Sequence, residues 1–366
     1  MQALITGISG FVGSHLAEYL LEHADWQVAG TVYGPEDNIA PLRDRLELYP
    51  AELSELETVI SIVERAKPDY IFHLAAQPLV SLSRRDPWGT MANNIRLQLN
   101  ILEAVARLGL LARILVIGSS EEYGLVHPDE LPIKETNPLR PTSPYAVSKV
   151  AQDMLGLQYH LSHDLFTVRV RAFNHIGPRQ SLGFVAPDFA SQIARAEAGL
   201  QEPVIQVGNL EPQRDFSDVR DVVRGYHLLI TQGEPGEVYN LGSEQAHSIG
   251  EMLETLLAMS KVPIAIEQVP ERVRSTDVAV IVADCTKIRK QTGWRPRIPF
   301  EQSLQDVLDY WRERTQSADG PSVHRGIGTS GNQPTNLPIY RSTNLPIYRS
   351  TNLPIYQFTN LPTKER

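Results

Sequence analysis

The sequence predicts an α/β fold, a doubly wound parallel sheet with helices on both faces, and three observations predict it. Apolar strand patterns alternate with helical patterns throughout residues 2–175, the arrangement of a parallel sheet built from successive crossovers. The run Asp69–Ala76 (Asp-Tyr-Ile-Phe-His-Leu-Ala-Ala) is continuously apolar after its first residues, as a strand covered on both faces requires. Gly7, Gly10 and Gly13 fall three apart between the first strand and the first helix, where a turn needs room for close helix packing.

Bulk properties narrow the function classes. A chain of 366 residues is long for one compact domain, so two lobes, or one domain with appendages, are expected. Hydrophobic content of 42% and charged content of 21% are those of an ordinary soluble globular protein. The net charge is −9, and after residue 315 basic residues outnumber acidic ones, so the body is more acidic still. That argues against nucleic-acid and anionic-membrane partners, and an anionic ligand must meet a locally basic pocket. Cys285 is the single cysteine; it fits a reducing cytosol and reads as a small buried filler. No apolar run approaches ~18 residues, and the chain starts directly in a strand pattern, so neither a membrane span nor a signal peptide is expected. The expected location is cytoplasmic. No metal site is expected.

Taken in order, residues 2–13 read as a buried strand, a glycine-rich turn and the start of a helix from Phe11 to about Glu22. The spacing is GxxGxxG, which suits a dinucleotide's pyrophosphate at Gly7, Gly10, Phe11, Val12 and Gly13; the bland alternative is a tight turn. The second strand, Gln27–Tyr33, should end where the adenosine ribose is read. There a carboxylate selects NAD and an arginine NADP, but Val32-Tyr33-Gly34-Pro35 supplies neither, and Glu36 and Asp37 come late. The sequence does not decide between NAD and NADP. Glu52, after the third strand, is either an adenine contact or an exposed loop carboxylate. Asp69–Ala76 delivers Leu74, Ala75 and Ala76 beneath a cofactor, with His73 a packed core histidine. Ile95, Leu99, Leu102 and Ala106 share one face of a helix over 93–107. Asn94 at its start either holds backbone near a nicotinamide or caps the helix. Arg113–Ser120 is the next strand, and its carboxyl end presents Ser119, Ser120 and Glu121, where such sheets place chemistry.

Ser143-Pro144-Tyr145-Ala146-Val147-Ser148-Lys149 then opens a helix. Ser143 is a good cap, and Pro144 loses nothing in a first turn. Tyr145 and Lys149 lie one turn apart on the same face. The helix N-terminus and the ammonium both favour the phenolate, so the tyrosine pKa is expected to fall from ~10. That would make Tyr145 a general acid/base; the spacing alone also occurs on ordinary surface helices.

The second half uses a different vocabulary. A sixth strand, Phe166–Arg171, leads into a loop at Phe173–Pro178. Arg214 and Arg274 are candidate diphosphate clamps, since guanidinium forks match phosphate oxygens; either taken singly could equally be a solvated ion pair. Glu237–Gly242 and a helix over 248–259 look like an αβ excursion covering the ligand edge. From Thr335 the chain repeats Thr-Asn-Leu-Pro-Ile-Tyr, beginning again at Thr343 and Thr351 and in truncated form at Thr359. A proline every eight residues defeats helix and central strand alike, so 316–366 reads as a disordered tail.

The glycine triplet, Ser119, the Tyr145/Lys149 pair and the strand order together resemble the extended short-chain dehydrogenase/reductases, the superfamily of NAD-dependent nucleotide-sugar epimerases and dehydratases. The resemblance covers roughly residues 1–313. Within it, Gly118–Gly124 (GSSEEYG), Arg140–Lys149 (RPTSPYAVSK), Phe173–Val185 (FNHIGPRQSLGFV), Gln201–Asp221 and Thr292–Pro299 (TGWRPRIP) are most similar to the reductases of GDP-4-keto-6-deoxy sugars. What this implies is a Rossmann-like cofactor domain at 1–175, joined by returning segments, a smaller nucleotide-sugar lobe mainly at 176–315, and a homodimer. It also implies that the C4 ketone of GDP-4-keto-6-deoxy-D-mannose is reduced to GDP-D-rhamnose with NADPH or NADH. Ser119, Tyr145 and Lys149 match the catalytic positions. Ser120, Glu121, Asn174, Val185 and Arg214 match substrate contacts. Arg274 and Asp277 stand where the pattern is Arg-Pro-Ser/Thr-Glu, here Arg274-Ser275-Thr276-Asp277. The alternatives are a GDP-mannose 4,6-dehydratase, whose C5 base would coincide with Glu121, and another nucleotide-sugar epimerase or reductase.

Overall fold

Ala3–Thr6, Val28–Val32 and Ile71–His73 are buried at every position, so these segments have no polar face to give to water and must pair with covered neighbours. In a computed structural model of the chain, which describes residues 1–269 and 278–316, they do. The first half runs β1 (Gln2–Thr6), α1 (Phe11–His23), β2 (Gln27–Val32), β3 (Leu46–Pro50), α2 (Leu56–Ala66), β4 (Tyr70–His73), α3 (Val80–Arg85), α4 (Pro87–Leu108), β5 (Arg113–Ser119), α5 (Pro144–His163) and β6 (Phe166–Ala172). The second half continues with β7 (Asn174–Ile176), α6 (Val185–Glu197), β8 (Val204–Val207), β9 (Gln213–Asp218), α7 (Val219–Gln232), β10 (Val238–Leu241) and β11 (Ala246–Ser248). It ends in α8 (Ile249–Ala258), β12 (Ala265–Gln268), β13 (Val280–Ile281), α9 (Thr286–Thr292) and α10 (Phe300–Gln316).

The main sheet has seven strands in the order β10-β6-β5-β4-β1-β2-β3, all parallel. The chain therefore winds outward from β1 in both directions. Its crevice opens between β1 and β4, at the carboxyl ends of the strands, which is where such sheets hold ligands. One face carries Leu16 and Leu20 of α1 against Val222, Tyr226 and Leu229 of α7. The other carries Val59 and Val63 of α2 with Ile101 and Val105 of α4. The expected Rossmann-like arrangement is present.

Two segments differ from expectation. Glu237–Gly242 is not part of an excursion over the ligand edge: β10 pairs with β6 and completes the main sheet. Tyr239, Asn240 and Leu241 are buried, and left unpaired, β6 would have exposed its own backbone polar groups along an apolar edge. The helix expected over 93–107 begins earlier, because Asp86 caps it, its carboxylate accepting from Gly89 N at 2.9 Å, with Pro87 in the first turn.

Away from the main sheet, β9 is flanked by β11 and β13 and also pairs with β7. Ile176, Phe189, Ile193, Phe216, Leu256 and Trp311 form a separate apolar core among β7, β9, α6, α8 and α10. Residues 317–366, and with them the repeats, lie outside the described residues, as do Arg274 and Asp277.

Candidate active site

At the end of β1 the chain turns through Gly7, whose φ of +68° is open to glycine at little cost. A Cβ there would also stand 3.2 Å from the Ala75 backbone, so Gly7 lets the loop after β4 close over the turn. Gly13 allows the next approach: a Cβ on it would lie 2.8 Å from Ile8 Cα and 2.9 Å from Ile8 O, inside backbone that cannot yield. Phe11 and Val12 then open α1, and no side chain caps the helix at Gly10. Its first N–H groups are thus left for an anion. Leu74, Ala75 and Ala76 are half-buried beside this loop, and Thr6 Oγ1 ties them in, accepting from Ala75 N at 3.1 Å. Glycine room, an uncapped helix start and small residues at the switch point fit a dinucleotide.

Other residues expected near a cofactor occupy the same end of the sheet. The Asn94 side chain accepts from Gln77 N at 2.8 Å and donates to Ser148 Oγ at 3.0 Å. Asn94 thus holds the backbone at Gln77 and does not cap the helix, which Asp86 does. Glu52 is exposed in the loop after β3, and Asn100 anchors that loop by donating to Leu53 O at 2.8 Å. His73 is buried, with Nδ1 hydrogen-bonded to Thr6 Oγ1 at 2.9 Å. Burial, and after it the charge of Lys149, lower its pKa to about 3, so it is neutral at physiological pH.

β5 delivers Ser119 to the crevice, and α5 brings Tyr145 and Lys149 to meet it. Ser143 Oγ accepts from Ala146 N at 3.1 Å, so the cap and the Pro144 turn form as the sequence implies. Ser119 stands close enough to the Tyr145 hydroxyl to favour its phenolate. Lys149 Nζ, however, does not reach the phenol; it donates to Ile117 O at 2.8 Å and lies 6.0 Å from the Tyr145 ring centre. The expected fall in the Tyr145 pKa is therefore reversed. Loss of water around the phenol raises it most, Ser119 lowers it, and the carboxylates of Glu121 and Glu122 add to the rise. Desolvation outweighs the helix terminus, which the residue spacing could not reveal. Burial also lowers the Lys149 pKa to about 8, while Glu122 draws it upward.

The remaining expected residues are spread over several elements. Ser120 is buried and Glu121 half-buried in the turn after β5, where Glu121 N donates to Ser119 Oγ at 3.2 Å. Val185 opens α6. Asn174, exposed, and Arg214 lie on the paired strands β7 and β9. The Arg214 guanidinium donates to Gln213 O at 2.9 Å and to Val278 O at 2.8 Å.

The residue that sequence reasoning passed over is Glu122. It is fully buried, and one carboxylate oxygen accepts from Ser119 N at 2.8 Å. The signal was present in Glu121-Glu122: consecutive residues in a tight turn cannot both face the crevice.

A family profile described as GDP-mannose 4,6 dehydratase matches residues 4–307. The chain belongs to this family. Among curated members it is 37% identical over 314 residues to the GDP-6-deoxy-D-mannose reductase of Pseudomonas aeruginosa, covering 85% of this chain and 97% of that one. The human GDP-mannose 4,6 dehydratase is 28% identical over 339 residues, covering 84% and 90%. Among solved structures, RMD from Pseudomonas aeruginosa complexed with NADPH superposes with a TM-score of 0.75 at 35% identity, covering 86% of this chain and all of that one. The UDP-glucose 4-epimerase of Thermus thermophilus in complex with NAD does so at 0.76 and 28%, covering 85% and 99%. The family thus spans reductase and dehydratase relatives.

Proposed function

We propose that this protein reduces the C4 ketone of GDP-4-keto-6-deoxy-D-mannose to GDP-D-rhamnose. The observation that carries the reading is the meeting of Tyr145, from the capped first turn of α5, with Ser119 at the carboxyl end of β5, where burial keeps the phenol protonated. Reduction of a ketone needs a proton donor at the carbonyl oxygen, and a tyrosine held neutral is ready to be one. Ser119 polarises the same oxygen, and Lys149 holds positive charge beneath the site. Gly7, Gly10, Phe11, Val12 and Gly13, with Leu74–Ala76, Asn94 and Glu52, would hold NADPH or NADH, which would supply the hydride when bound. Ser120, Glu121, Asn174, Val185 and Arg214 surround the GDP-sugar, with Arg214 at the diphosphate. Arg274 and Asp277 complete this set.

The higher identity to the reductase relative supports the reading, as does the lack of arginine in Val32-Tyr33-Gly34-Pro35. Dehydration is the second reading, favoured by the position of Glu121. The test offers GDP-mannose alone in one vessel and the 4-keto sugar with NADPH or NADH in another. Net oxidation of the nicotinamide in the second vessel only is expected; conversion of GDP-mannose without added reductant would overturn the proposal.

The same proposal divides the chain into a cofactor domain (1–175 with returning segments such as β10), a sugar lobe mainly at 176–315, and a dispensable tail. Among the described residues no helix is long and apolar enough to cross a membrane, and the proposed location is cytoplasmic. The protein acts as a homodimer in this reading: Val147, Met154 and Leu161 are exposed on one face of α5, seven residues apart. Light scattering on a Met154→Arg variant tests this, a monomer being expected.

A further inference from the structure

Behind Ser119 and Lys149 lies a buried set of charges that the proposed chemistry does not use directly. Glu122 Oε1 accepts from Ser119 N at 2.8 Å, and Oε2 faces Arg171 Nε at 3.2 Å. Arg171 also holds Asp153, Nη2 to Oδ2 at 2.5 Å, and Asp153 holds Arg169 at 2.9 Å. Glu122, Asp153, Arg169, Arg171 and Lys149 are all buried. The fold makes space for this carboxylate in particular. A Cβ on Gly118 would collide with Glu122 Oε1 while standing 3.0 Å from Val170 O, so no side chain fits there beside it.

We infer that Glu122 is a positioning residue for the reduction, fixing the Ser119 backbone through one oxygen and setting a negative charge against Lys149. The inference rests on the proposed roles of Ser119, Tyr145 and Lys149. The titratable and charged groups facing the pair are Asp153 and Tyr145 from α5, Arg171 from β6, Tyr123 just after the turn, and His73 from β4, which is neutral. Burial, then Asp153, raise the Glu122 pKa well above the usual carboxylate range, and Arg171, the Ser119 N–H and Lys149 offset only part of that rise. In the buried set three cations, Lys149, Arg169 and Arg171, outnumber the two carboxylates, Glu122 and Asp153. Protonating Glu122 would leave a larger uncompensated buried charge; its Oε1 accepts from Ser119 N, and its Oε2, which has no hydrogen-bond partner, lies 3.2 Å from the Arg171 guanidinium. The ion is the working form.

Two variants separate the two jobs. Glu122→Gln keeps an oxygen for Ser119 N but removes the charge. Glu122→Asp keeps the charge but cannot span the same distance. Without the carboxylate the Lys149 pKa falls further, so the alkaline limb of kcat/KM in Glu122→Gln is expected about one pH unit lower than in wild type. In Glu122→Asp the limb should stay, while kcat falls ~10-fold or more with the KM for NADPH unchanged. An unmoved limb in Glu122→Gln, or equal losses in both variants without a change in pH profile, would overturn the inference. Should Glu122→Gln fail to fold, the Asp variant still decides: full kcat in it refutes the positioning role. Wild type is assayed on the same GDP-4-keto sugar. If wild type itself does not turn over, the functional reading fails rather than this one.

Discussion

Replacing Gly13 by alanine tests the cradle on which cofactor binding depends. The added methyl would sit 2.8 Å from Ile8 Cα and 2.9 Å from Ile8 O, and closer still to Gly7 O. All three are backbone atoms of the turn itself, so no side chain can rotate away. Either α1 lifts from β1 or the Gly7–Gly10 turn is remade, and overpacking of this kind costs ~1–3 kcal/mol. At about 2–4 °C per kcal/mol in proteins of several hundred residues, Tm should fall by roughly 5 °C. Affinity for NADPH should drop by more, because the N–H groups at the start of α1 move with the turn; a loss on the order of 10²-fold is expected by fluorescence titration. Gly250→Ala is the matched control. Gly250 lies in the first turn of α8, where the nearest atom to an added Cβ is Leu210 O at 3.5 Å. Alanine there should raise Tm slightly and leave NADPH affinity alone. If Gly13→Ala keeps wild-type Tm and affinity, close approach at Gly13 is not what the loop requires.

Other expectations follow from the same geometry. Tyr145→Phe should lose ~10²–10⁴ in kcat while binding NADPH normally; near-normal turnover would remove Tyr145 from the mechanism. Glu121→Gln should cost only ~1 kcal/mol if the protein is a reductase, but ~10²-fold or more in turnover if Glu121 is a dehydratase base. His15 and His73 have pKa values lowered to about 4 and about 3, chiefly by burial. The unfolded chain therefore binds more protons than the native one below ~6.5, and stability falls as pH drops through that value towards the native pKa values. Each should cost on the order of 2 kcal/mol between pH 7 and 5, measurable by urea unfolding at the two pH values. His73→Asn, which can still bond Thr6, should flatten the slope.

What the sequence disclosed was what local pattern controls. The parallel sheet followed from strands such as Val28–Val32 and Ile71–His73 that lack a polar face. The α5 start followed from Ser143 and Pro144, whose effects act within one turn. What it hid depends on residues far apart in the chain. The direction of the Tyr145 pKa is set by lost hydration and by two carboxylates from another segment, and the helix spacing carries neither. Glu122 looked interchangeable with Glu121 until Gly118 and Arg171 were placed around it. Glu237–Gly242 has the composition of an isolated strand, and only its pairing with β6 says which sheet it joins. The second-strand end at Val32–Pro35 bears no ribose-reading charge, and the fold adds none that settles NADP against NAD.

The late return of β10 to β6 has a consequence for biosynthesis. When the ribosome has released only residues 1–175, six strands of the main sheet exist, but the outer edge of β6 has no partner. Arg169 N still waits for Glu237 O, its acceptor at 2.9 Å in the finished protein, and the Tyr123 hydroxyl waits for Asn240 Oδ1 at 2.6 Å. An apolar strand with a free edge is a template for another chain. At ~5–20 residues per second, several seconds pass before β10 emerges to cover it. The nascent chain is therefore most prone to self-association in that interval. A separately expressed 1–175 fragment should aggregate where the same fragment extended through β10 and α9 stays in solution.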